Sequence, residues 1–226
     1  HTRCSRDWSS DVCSSDLVEI ESAGDPRIAE YVELKQRPTG GTTGRVAIGE
    51  SQPVIERLVG SRFAPRSFLL TASRYERLSA TLAAFPSAVP YVVSDTVMAD
   101  IVGFDLHRGA LAACDVPPAP SLDDLLDRAR RIVVLEGSND AENIGAVARS
   151  ARALGIDLLL LDPTCASPFS RRAIRVSMGE LLHLPVWQAT EWPAPLDLLH
   201  GRDIATWALT PRHDATSLFD LQAPDR

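Results

Sequence analysis

Apolar residues in this chain fall in short bursts, separated by longer stretches in which they recur every three or four positions, the alternation of strand and helix expected of an α/β protein. Ile132-Val133-Val134-Leu135 is rich in β-branched residues and is bounded by Gly137, and Leu158 to Leu161 is a second such run. Both predict short buried strands. Between them Ile144, Val147, Ala148, Ala151 and Leu154 keep to one stripe of a helix, while Arg149 and Arg152 fall off it and Gly155 stands where a C′ residue would end it. The three pieces make a βαβ unit.

The same alternation runs upstream, through Val46 to Ile48, a helical period at Val54, Ile55 and Leu58, then Ser67 to Leu70, Tyr75 to Leu82, Val89 to Val93 and Gly109 to Ala113. It predicts a small α/β sandwich. Asp25 before Pro26 reads as an N-cap and first-turn proline, with Ile28, Tyr31, Val32 and Leu34 continuing the helix, and residues 38–44 break the chain. A second break, Val116-Pro117-Pro118-Ala119-Pro120, is stiffened by three prolines. Beyond it the pattern predicts a helix over Leu122 to Ala129, the βαβ unit, a helix from about Ser167 with Pro168 in its first turn, and apolar runs at Leu181 to Val186 and Ile204 to Leu209. The expected domains are therefore 18–115 and 122–226, joined by a linker at 116–121.

Residues 1–17 stand outside this pattern. The stretch from Asp7 to Leu17 has no apolar period and no targeting signature, and it back-translates to a short-read library adapter, so a non-native, disordered segment is expected there. Leaving out Arg3, Arg6, Asp7, Asp11 and Asp16 moves the formal net charge from -7 to -6, which weighs against a generally basic nucleic-acid binder. Any RNA contact must then come from local arginine clusters: Arg128, Arg130 and Arg131, or Arg171, Arg172 and Arg175. Cys114 and Cys165 are too few and too far apart for a disulfide framework or a zinc site, so no metal and a reduced, cytoplasmic setting are expected. No apolar run is long enough to span a membrane.

Glu142-Asn143-Ile144-Gly145-Ala146-Val147-Ala148-Arg149, followed by Arg175-Val176-Ser177-Met178-Gly179 ahead of Leu184-Pro185-Val186, resembles the first two motifs of the SpoU (TrmH) family of RNA ribose 2′-O-methyltransferases. Arg45-Val46-Ala47-Ile48-Gly49-Glu50 with Val54-Ile55-Glu56, and His107-Arg108-Gly109-Ala110-Leu111-Ala112, are similar to the L30e-like RNA-binding domain often fused in front of it. The resemblance implies an L30e-like α/β sandwich followed by an α/β-knot (SPOUT) domain, S-adenosylmethionine as methyl donor, ribosomal or transfer RNA as partner, and a homodimer in the cytoplasm. It assigns the catalytic arginine to Arg149. A guanidinium stays protonated, so Arg149 is suited to grip a phosphate bidentately and stabilise a developing alkoxide, not to act as a free base.

Each candidate has a plainer alternative. Arg149 is also what an exposed helix face would carry, and Asn143 is either a group that fixes Arg149 or the RNA, or a plain helix cap. Gly145 suits close backbone approach or is merely tolerated early in a helix. Arg171, Arg172 and Arg175 are expected to face RNA phosphates or simply solvent, and Ser177 to line the cleft or to end the helix. His107 and His183 read as structural residues, and Glu50 is not offered as catalytic. The family's third motif is missing, so the knot is expected to stay open, with Leu209 and Thr210 the only remaining cofactor contacts and this stretch of chain a weak cofactor binder. The alternative function is a non-catalytic RNA- or ribosome-binding module. A dinucleotide-binding protein is disfavoured, because the first strand leads into Gly137-Ser138-Asn139-Asp140 and not a G-x-G-x-x-G turn.

Overall fold

A computed structural model describes residues 17–32, 46–102 and 109–222. The N-terminal half is built from β1 (Val18–Glu19), a 3-10 turn over Pro26–Tyr31, β2 (Val46–Glu50), α1 (Gln52–Glu56), β3 (Ala64–Thr71), α2 (Ala72–Leu82), β4 (Val89–Val93), α3 (Asp95–Val102) and β5 (Ala110–Asp115). Its mixed sheet has the order β1-β4-β3-β5-β2. β1, β4 and β3 run parallel, and β5 is antiparallel to both β3 and β2.

Alternation along the strands divides the two faces of this sheet. Phe68 and Leu70 of β3 pack with Val54, Ile55, Leu58 and Leu78 from α1 and α2. Leu69, between them, packs on the other face with Ile28, Tyr31, Met98 and Ile101. Tyr31 is fully buried, and its hydroxyl bonds Ser67 at both the carbonyl (2.9 Å) and Oγ (2.7 Å) while accepting from the Ala113 amide (3.1 Å). Burial pushes its phenol pKa far up.

Asp25 is the N-cap expected, accepting from the Arg27 amide at 2.9 Å. The element that follows is a short 3-10 turn and not a longer helix, because Ile28 leaves helical dihedrals and Val32 is already extended. Leu34, the break at 38–44, Arg45 and His107 lie outside the described residues, as do residues 1–16. α3 was not foreseen, although Ser94 accepting from the Val97 amide (3.2 Å) ahead of Val97, Met98 and Ile101 is a readable helix start.

Past residues 116–121 come α4 (Leu122–Arg128), β6 (Ile132–Leu135), α5 (Ala141–Ala153), β7 (Leu158–Leu161), α6 (Arg171–Val176), a 3-10 turn over Glu180–Leu182, β8 (Val186–Gln188) and α7 (Ala194–His200). β6, β7 and β8 form a parallel sheet in that order. β7 is buried on both faces, as its unbroken apolar run requires: Leu159 and Leu161 meet α5 and α6, and Leu158 and Leu160 meet α4 and α7. Gly155 takes φ +71°, the C′ role read from its position.

Two elements differ from the reading of the pattern. α6 starts at Arg171, not near Ser167: residues 167–170 form a tight turn closed by the Ser170 amide donating to the Ser167 carbonyl (3.2 Å), and Ser170 is the cap, accepting from the Ala173 amide (3.3 Å). The run from Ile204 to Leu209 is not a strand. Ile204 is buried against α4 and α7, but the segment after it takes no ladder partner among the described residues, and a strand exists only through its ladder.

α6 and the turn after it form a wall shared by both halves. Ala173 packs into the core under α5, whereas its neighbour Ile174 packs into the core between α1 and α2. Leu181 and Leu182 divide in the same way, and Phe169 touches both cores, meeting Phe63 edge-on at 5.2 Å.

α5 reaches this wall through Gly145. A Cβ at that position would lie 2.6 Å from the Ala173 carbonyl, 2.9 Å from Val176 Cβ and 3.1 Å from the Ser177 amide nitrogen. The glycine is thus required by close helix approach. Gly145→Ala is expected to destabilise the protein by about 1–3 kcal/mol through overpacking. Urea unfolding checks this, and an unchanged or raised midpoint contradicts it.

Candidate active site

α5 carries both residues expected to be catalytic. Asp140 caps it, accepting from the Glu142 amide at 2.8 Å, so Asn143 is not the cap. Asn143 sits in the first turn and is exposed, as is Arg149. Six residues apart, they lie about 120° from each other around the helix and about 9 Å along it. The structure therefore does not bring Asn143 against Arg149, and the idea that one fixes the other has no contact behind it.

The arginines around α5 divide by partner. Arg171 Nη1 donates to Glu50 Oε2 at 2.5 Å, in a pair whose carboxylate is almost wholly buried. Arg175 lies 3.9 Å from Glu50 and 3.8 Å from Glu142. Arg57 and Arg152 both approach Glu180, at 3.1 and 3.7 Å. Among the described residues, the side chains of Arg149, Arg172 and Asn143 have no hydrogen-bond or ion-pair partner. Of the cations on this surface, Arg149 and Arg172 keep their charge for an anion from outside.

The structure places the other expected residues as follows. Arg171 is turned to Glu50 and not outward to phosphate, because a buried carboxylate left without a cation would destabilise the fold. Ser177 faces no ligand: it is wholly buried, donating from Oγ to the Ile174 carbonyl (2.9 Å) and accepting from the Leu181 amide (3.4 Å), so it ends the helix. Leu209 is 83% exposed in an extended segment, and Thr210 Oγ1 accepts from the Arg212 amide (3.4 Å), which leaves the backbone contact expected of these two residues untouched. His183 is structural as read, its Nε2 2.7 Å from the Arg57 carbonyl oxygen.

Asp162, at the carboxyl end of β7, was not singled out from the sequence. Ligands of parallel α/β sheets bind at this edge. Its buried carboxylate accepts from the Gly137 amide (3.0 Å) in the loop leading to α5, and from the amides of Thr164 (2.9 Å) and Cys165 (2.8 Å) in the loop leading to α6. Both loops that enter the site helices are thus tied to one side chain. An acidic residue closing an apolar strand ahead of a Pro-Thr turn was the available signal. Burial works to raise its pKa, but hydrogen bonds from Cys165, Gly137 and Thr164 outweigh it and hold the carboxyl below the ordinary range.

The helix after the first strand of the parallel sheet thus carries an exposed arginine without an ion-pair partner among the described residues, and comparison with known proteins gives the kind of α/β domain this is. Residues 130–226 match the SpoU rRNA Methylase family. An uncharacterized tRNA/rRNA methyltransferase of Mycobacterium tuberculosis is 37% identical over 206 residues, covering 90% of this chain and 71% of that protein. The chain belongs to the SpoU methylase family. The crystal structure of an AdoMet-bound rRNA methyltransferase from Sinorhizobium meliloti shares the fold with a TM-score of 0.64 at 19% identity, covering 83% of this chain and 69% of that one. An RNA 2′-O ribose methyltransferase of known structure aligns with a TM-score of 0.63 at 25% identity, covering 88% and 75% of the two chains.

Asp162 yields a test of how the site is held. Its pKa is lower folded than unfolded, so its contribution to stability is present above the unfolded value, about 4, and is lost as pH falls through the folded value. Asp162→Asn is expected to lower the urea midpoint at pH 7, and the gap to the parent protein to close in acid below about pH 4. A gap that persists unchanged down to pH 2 would show that the carboxylate charge is not what orders the loops.

Proposed function

We propose that this protein transfers a methyl group from S-adenosylmethionine to a ribose 2′-hydroxyl of ribosomal or transfer RNA, with Arg149 as the residue that grips the RNA at the reacting nucleotide. The observation that carries this reading is the unpaired, exposed guanidinium of Arg149 on the helix after the first parallel strand, amid arginines already met by carboxylates. Membership of a methylase family sets the reaction class. The likeness to an RNA 2′-O ribose methyltransferase favours ribose over base.

The chemistry asks little of the protein beyond placement and charge. A planar fork of donors matches a phosphate, and the same cation beside the ribose would stabilise the oxyanion that develops as the 2′-hydroxyl passes its proton to water. The new O–C bond forms as the donor's S–C bond breaks to leave a neutral thioether. Arg172 supplies a second phosphate contact, and Asn143 a polar contact in the first turn of α5. The donor brings an electrophilic methyl on a sulfonium. Leu209 and Thr210, exposed in an extended segment, would meet it through their backbone groups. Residues 18–115 are read as the RNA-recognising, L30e-like domain and 122–226 as the methylating one. A cytoplasmic homodimer is the setting this reading carries.

The test is methyl incorporation into RNA by the intact protein with methyl-labelled donor, followed by digestion to nucleosides. Label on a ribose 2′-oxygen is expected, and Arg149→Ala is expected to lower kcat by on the order of 10²–10³, the cost of removing one charge-stabilising donor. Label on a base nitrogen with ribose untouched contradicts the reading, as does an Arg149→Ala protein of unchanged rate.

A further inference from the structure

We propose that Glu50, at the end of β2 in the N-terminal half, is a positioning residue for the site on α5, a role that rests on Arg149 being the arginine that meets the RNA. Glu50 is only 3% exposed and 121 residues distant in sequence from Arg171, which it holds at 2.5 Å. Its other carboxylate oxygen faces Arg175 at 3.9 Å, and Arg175 in turn reaches Glu142 at 3.8 Å, in the first turn of α5. A chain of alternating charge thus runs from the sheet of one half to the N-terminal turn of the helix that carries Arg149 in the other.

The need to neutralise a buried carboxylate explains why Glu50 has a cation, but not what the pairing positions. A buried ion pair is commonly no better than an apolar pair of the same volume, and the role proposed for this one is to fix the mutual orientation of β2 and α6. The next residue points the same way. Ser51 holds φ +94° and ψ 152°, a conformation that side chains other than glycine rarely adopt, and its buried Oγ has no hydrogen-bond partner among the described residues. Strain and an unsatisfied hydroxyl persist only where the surroundings over-determine them. Here they stand at the turn that aims Glu50 across the joint.

The connection has a stiff second route. α6, which carries Arg171 and Arg175, lies against α5 at Gly145 with no room for a Cβ. Displacing α6 therefore displaces α5. RNA held by the N-terminal half would be placed against Arg149 only while this joint keeps its geometry, and catalysis is sensitive to displacements of about an ångström.

Two readouts on Glu50→Gln test this, one of them independent of catalysis. Hydrogen exchange at the Ile144 to Ala148 amides of α5 is expected to speed up about tenfold, with the α4 amides unchanged. In the methylation assay, well below the unfolding temperature, kcat is expected to fall about tenfold while KM for RNA changes less than twofold. Arg175→Ala, at a partly exposed position, reads the same coupling if Glu50→Gln does not fold, and the double variant is expected to be no worse than the poorer single one. Protection of α5 left unchanged while β2 and α6 loosen would overturn the proposal, as would kinetics that follow only the fraction folded. If the methyl is found on a base, the ribose reading falls, and the exchange result still decides the role of Glu50.

Discussion

A carboxylate almost wholly out of water at Glu50 destabilises the fold unless a cation meets it, and the cation that does so, Arg171, comes from the other half of the chain. The placement of α6 depends on that requirement. Arg171 is the first residue of α6, so pairing it fixes where α6 begins, and α6 carries apolar residues into two cores at once through Ala173 and Ile174. The two halves therefore meet through apolar packing and not at a wet surface. They share a wall, and removing the wall would open both cores.

The wall also determines which charges remain available. Glu50, Glu142 and Glu180 take up Arg171, Arg175, Arg57 and Arg152, so most of the positive charge at the joint is met. Arg149 lies one turn beyond Gly145 on a helix seated against this joint, and it stays unpaired among the described residues. A guanidinium carried on a helix loses less backbone freedom on binding an anion than one on a loose segment. Asp162 adds the remaining constraint, tying the loops into α5 and α6 to the end of β7.

Much of this was legible in the chain. The strands β6 and β7, the helix between them and the glycine that ends it follow from periodicity and local turn chemistry, which act within a few residues and so are written locally. The close approach at Gly145 was readable as one of two options. What could not be read was pairing across the fold. Arg171, Arg172 and Arg175 look alike in sequence, yet one is held by a carboxylate 121 residues away, one stands exposed and one bridges two acids. Ser177 looked like a site residue because a hydroxyl beside a glycine turn serves equally well to bind and to cap. The run from Ile204 to Leu209 has strand composition, but strand formation depends on a partner that composition does not specify.

The shared wall is tested most directly by following denaturation at resolved amides of both halves, comparing hydrogen exchange at Leu69 in β3 with that at Leu159 in β7 as urea is raised. If α6 and the Glu50–Arg171 pair make the halves one cooperative unit, the two amides converge on the same opening free energy and the same dependence on urea. Separate opening of β7, at a lower free energy and with a smaller urea dependence than β3, would contradict it.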